Sequence, residues 1–93
     1  MTLVFHSQPI INRGERLACI YKLVRGTASL PDPRGRPALT LRAPAYLNLP
    51  EAVYDSPALK TVLAEGRCEV LKVRPKEVHR KMIRALKEEG LRP

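Results

Sequence analysis

The chain has no tryptophan, one phenylalanine and three tyrosines in 93 residues. That scarcity weakens any reading built on an aromatic platform on which single-stranded nucleic acids stack. His6 and His79 are the only imidazoles, and no serine, cysteine or carboxylate stands at a catalytic spacing from either. With no phosphate loop and no glycine-rich dinucleotide turn, neither an enzyme nor a cofactor or small-molecule substrate is expected. Cys19 and Cys68 lie far apart with no C-x-x-C or paired-histidine pattern, so no metal site is expected and both read as reduced core thiols. No apolar run approaches the roughly 18 residues that a membrane span needs. The opening "MTLVFHSQPI" has no basic leader and no small-residue cleavage site, which predicts a soluble, non-secreted chain. One glutamine, two asparagines and nine prolines set between apolar runs fit a thermophilic source.

Positive charge is abundant. Seventeen lysines and arginines against nine carboxylates give a net charge of +8, which points to an acidic partner. The excess sits in two zones, residues 22–42 and 74–93, around a nearly neutral middle.

Residues 1–93 are short enough for one domain with a small core. "TLVFH" (2–6), with Pro9 close behind, predicts an edge strand, and "RLACIYKLV" (16–24), the longest apolar run without Gly or Pro, predicts a central one. "ALTLR" (38–42) predicts a third. The joint between the last two, residues 25–37, contains "SLPDPRGRP" and is far longer than a hairpin requires. Its prolines stiffen it, so it is expected to project. Asp55 or Ser56 reads as the cap of a helix over "ALKTVLAE" that ends at Gly66, with "RCEVLKV" as the next strand and "NLPEAVY" as an irregular turn. In "RPKEVHRKMIRALKEEGLRP", Val78, Met82, Ile83, Ala85 and Leu86 share one helical face. The expected fold is α+β: a small, mostly antiparallel β-sheet with a short helix and a basic amphipathic C-terminal helix.

On that last helix Lys76, Arg80, Arg84 and Lys87 fall in an arc that holds no acid, and like charges at i and i+4 gain nothing without a partner. Arg25, Arg34, Arg36 and Arg42 in and around the long loop could clamp carboxylates or phosphates through two parallel N–H groups. These eight residues are the predicted partner-binding set.

"LNLPEAVYDSPALKTVLAEGRCEVLKV" (47–73) resembles a pattern in small accessory proteins of tailed bacteriophages, through Leu49, Pro50, Glu51, Leu59, Leu63, Gly66, Glu69 and Val70. The resemblance implies a virion or morphogenesis component with no catalytic residues. The expected function is thus a non-enzymatic structural protein that docks, through its basic side chains, on the acidic surface of neighbouring subunits in a capsid, head-tail joint or tail. The alternative is a basic nucleic-acid-binding module or ribonucleoprotein subunit, with the last helix along the phosphate backbone.

Overall fold

The structure, a computed structural model, describes residues 2–77. Six strands and one helix follow in the order β1 (Thr2–His6), β2 (Pro9–Ile11), β3 (Ile20–Leu30), β4 (Leu39–Arg42), β5 (Ala45–Tyr46), α1 (Leu49–Tyr54) and β6 (Val62–Val73). All pairings are antiparallel. The sheet runs β1-β6-β3-β4, with β2 added to β6 and β5 to β3. The mostly antiparallel sheet and the edge position of residues 2–6 are as the sequence predicts.

The two long strands β3 and β6 form the spine. Along β6, Val62, Ala64, Cys68 and Val70 are buried while Glu65 and Arg67 are exposed, the period-two pattern of a strand with one dry face. Leu23 stands opposite Val70 and Ala28 opposite Ala64. Together with Ile10, Ile11 and Leu47 these side chains make the core. Both cysteines are free thiols, as expected, and Cys68 donates its S–H to the Thr27 carbonyl at 3.0 Å.

Between the pairs Arg25–Glu69 and Thr27–Glu65 the register shifts, because β6 advances four residues while β3 advances two. Glycine makes the irregularity possible. Gly26 has φ +101°, and a Cβ there would lie 2.6 Å from the Arg67 carbonyl oxygen, a contact that only a residue without a side chain escapes.

Two expectations need correcting. The helix placed on "ALKTVLAE" is not formed: residues from Val62 onward are strand β6, and the helix is Leu49–Tyr54, in the stretch read as an irregular turn. Ala, Leu, Lys and Glu favour a helix locally, but pairing with β2 and β3 overrides that preference. Gly66, expected to end a helix, takes φ +70° inside β6 instead, where its carbonyl accepts the Ser7 N–H at 2.9 Å. Strand β3 also runs on to Leu30. Arg25 is thus a strand residue, and the connection to β4 is residues 31–38. Residues 75–77 are helical; the rest of the expected C-terminal helix, including Arg80, Arg84, Lys87 and His79, lies outside the described residues.

Candidate functional site

The fold brings the loop between β2 and β3 against α1. Asn48, buried just before the helix, makes the joint. Its Oδ1 accepts the Tyr21 N–H at 2.8 Å, its Nδ2 donates to the Cys19 carbonyl at 3.0 Å, and the neighbouring Leu47 N–H donates to the Tyr21 carbonyl at 2.9 Å. Pro50 in the first turn suits a helix start, where no intrahelical donor is required. The helix ends at Asp55, whose left-handed backbone (φ 51°) is a conformation that Asp and Asn tolerate better than most residues. Past the helix, Ala58 clasps the loop from the other side: its N–H donates to the Glu15 carbonyl at 2.8 Å and its carbonyl accepts the Gly14 N–H at 2.7 Å.

Between these anchors lies a cleft of about 380 Å³, walled by Glu15, Arg16, Leu17 and Ala18 on one side and by Asn48, Glu51, Ala52 and Asp55 on the other, with Ser56, Ala58 and Pro75 completing it. The volume falls within the range of small-ligand sites. Arg16 is the cleft's only cation among the described residues, against the carboxylates Glu15, Glu51 and Asp55. Arg16 Nη1 is 3.8 Å from Asp55 Oδ1, and both side chains are largely exposed, so the pair is weak and easily exchanged.

Glu51 is the unusual member. It is only 4% exposed. Its Oε2 accepts the Leu59 N–H at 3.2 Å, while Oε1 is buried with no hydrogen-bond partner among the described residues. A buried acceptor left unsatisfied is costly and uncommon in folded proteins.

Of the predicted partner-binding residues, Arg80, Arg84 and Lys87 lie outside the described residues; Arg25, Arg34, Arg36, Arg42 and Lys76 do not line the cleft, and the structure does not gather these five into one site. Arg25 is on β3, its Nε 3.4 Å from Glu69 Oε2, with Arg67 Nη1 3.6 Å from the same oxygen. Arg34 and Arg36 are in the 31–38 connection around Asp32, which accepts the Arg34 N–H at 2.8 Å and lies 3.9 Å from Arg36 Nε. Arg42 is exposed on β4 opposite Thr27, and Lys76 is exposed beside Pro75. Asn48 and Arg16 were not singled out by the sequence reading, and Glu51 entered it only as part of the phage-like pattern. The signal was the run Asn48-Leu49-Pro50-Glu51, which has the cap, proline and first-turn acid of a helix start. Among the described residues no cluster of three His, Cys, Asp or Glu could hold a metal, and no helix is long and apolar enough to cross a membrane.

No protein-family model matches the chain, and no curated protein sequence does. Solved structures do. The whole chain overlays the second cAMP-binding domain of a PKA regulatory subunit, solved with the analogue Sp-2Cl-cAMPS, at a TM-score of 0.70 and 19% identity, spanning 73% of that structure. It overlays the regulatory domain of Toxoplasma gondii PKA, solved with cAMP, over 96% of its length at 0.70 and 23% identity, spanning 37% of that protein. A cGMP-bound EAL enzyme overlays 96% of the chain at 0.70 and 14% identity, the chain spanning 28% of it. At these identities the likeness shows the fold, which is that of cyclic-nucleotide-binding domains.

These neighbours overturn the phage resemblance and the functions drawn from it. The apolar-Pro-acid entry is the start of α1, and the spaced leucines are not helical: Leu59 lies in the link after α1 and Leu63 in β6. The expected docking on acidic virion subunits, the nucleic-acid alternative and the absence of a small-molecule ligand are corrected together, since the proteins sharing this fold are solved with small cyclic nucleotides bound.

Proposed function

We propose that this chain is a non-catalytic, small-ligand-binding regulatory domain of the cyclic-nucleotide-binding type, with the cleft between the 15–18 loop and α1 as its ligand site. The observation that carries the reading is the overlay of 96–100% of the chain on domains solved with cAMP, cGMP or an analogue. The cleft supports it by its volume and by its construction from one loop and one short helix held on a rigid sheet, which lets ligand contacts bias the position of α1. Arg16 is the wall residue able to meet a cyclic phosphate. Because it is exposed and already near Asp55, its contribution to affinity is modest.

Pro75 belongs to the cleft wall, so the chain beyond it leaves from the site itself. In this reading ligand contacts made at Pro75 are passed to the described residues beside it, 74–77.

The test is calorimetric titration with cAMP and cGMP, with AMP as the open-chain comparison, backed by thermal melting. A ligand at ten times its Kd stabilises the folded state by about 1.4 kcal/mol, which for a domain this small raises Tm by roughly 5–10 °C. Saturable binding of either cyclic nucleotide supports the reading. No heat and no shift with either ligand at millimolar concentration rejects it.

A further inference from the structure

We infer that the group received at Glu51 is an amine, so that the cleft takes an amine-bearing small molecule, either an organic ammonium ion or the amino-substituted base of a nucleotide. The inference rests on the reading of the cleft as the ligand site and adds the chemistry of what enters it.

Two observations carry it. The first is Glu51 itself: a carboxylate more than nine-tenths buried, on the cleft wall, with one oxygen occupied by the Leu59 N–H and the other without a partner among the described residues. Such an oxygen can only accept, so the group that completes it must be a donor. A phosphate, which brings acceptors and negative charge, cannot. The second is the sign of the surroundings. In a chain of net charge +8, the cleft walls hold three carboxylates and one guanidinium among the described residues. The molecule as a whole repels cations, so a cation that binds must find a local concentration of negative charge, and Glu15, Glu51 and Asp55 supply one. An amine meets both requirements, since it donates to Glu51 and, when protonated, is attracted by all three acids. A hydroxyl meets only the first.

The two sources of an amine separate experimentally. Putrescine supplies it without a nucleotide, and tetramethylammonium supplies charge without a donor. cAMP supplies an amino group on a nucleotide, and cyclic inosine monophosphate is the same molecule with that group replaced by oxygen. Each is titrated into the full chain and into Glu51→Gln, which keeps an acceptor for Leu59 and removes the charge. The inference expects either putrescine to bind while tetramethylammonium does not, or cAMP to bind at least about tenfold more tightly than the inosine analogue, with Glu51→Gln abolishing the preference. Asp55→Asn and Arg16→Gln, both on exposed side chains, keep the test open if Glu51→Gln does not fold. The first should weaken putrescine, and the second should strengthen it by about two- to fivefold while weakening a cyclic nucleotide. Equal binding of cAMP and its inosine analogue, with no binding of putrescine, overturns the amine and leaves the ligand site standing. Binding of none of these ligands overturns both.

Discussion

Asn48 holds Tyr21 by the backbone: one carboxamide closes the gap between the start of α1 and the start of β3, taking the Tyr21 N–H at 2.8 Å and giving its own N–H to Cys19 at 3.0 Å. The residues bridged are 27 positions apart, so this side chain, more than any local preference, sets where α1 sits and hence the width of the cleft. Replacing it with leucine leaves a backbone donor and a backbone acceptor without partners. Asn48→Leu is expected to lower stability by about 2–4 kcal/mol, read from urea unfolding, and a loss under about 0.5 kcal/mol would show that α1 is placed by something else.

Gly26 and the Arg67 carbonyl give a second prediction. With 2.6 Å to that oxygen and a left-handed φ, Gly26→Ala must move backbone in the two central strands. We expect a loss of about 2–4 kcal/mol. Gly35→Ala has the same sign of φ but open space around it, and its cost should stay near 1–2 kcal/mol, the strain of the left-handed region alone. Equal losses at the two sites would mean that the close approach in the sheet is unimportant.

Glu69 is shared by Arg25 and Arg67, at 3.4 and 3.6 Å, and only the carboxylate is mostly covered. The distances are those of ion pairs; among the described residues no hydrogen bond reaches that oxygen. Each single arginine-to-alanine change is expected to cost under about 1 kcal/mol. The double change should cost more than the sum, because the first loss leaves Glu69 one cation and the second leaves none. Strict additivity in the double-mutant cycle would count against a shared pair.

The thiols divide by burial. Cys68 is fully buried and bonded to Thr27, whereas Cys19 is half-buried at the edge of the site. In the folded protein a thiol reagent should modify Cys19 first and Cys68 only at the rate of unfolding. Equal rates would indicate that the β3–β6 spine opens readily.

How much of this was legible in the sequence depends on the range of the interaction. Strand β1 and the first half of β3, Ile20 to Val24, could be read because β-branched, aromatic and aliphatic residues run together there without Gly or Pro. The "ALKTVLAE" stretch could not, since its helix-forming composition is outvoted by pairing with Pro9–Ile11 and with Thr27–Ser29, strands far away in sequence. "RCEVLKV" was read as a strand, but its continuation back through Ala64 and Val62 was hidden behind Gly66, which reads as a helix end unless its partner Ser7 is known. The site followed the same rule. Of the basic residues singled out, Arg25, Arg34, Arg36, Arg42 and Lys76 are exposed. The burial of Glu51 could not be read, because it depends on the loop that Asn48 and Ala58 fasten beside it.

The most direct test of the central claim is an amide correlation spectrum of the full chain recorded through a titration with cAMP or cGMP. The account predicts saturable shifts centred on Arg16, Ala18, Asn48, Glu51 and Ala52, the two walls of the cleft, with the β1–β6 edge unmoved. Shifts confined to the arginines at 25, 34, 36 and 42, or no shifts at saturating nucleotide, would contradict it.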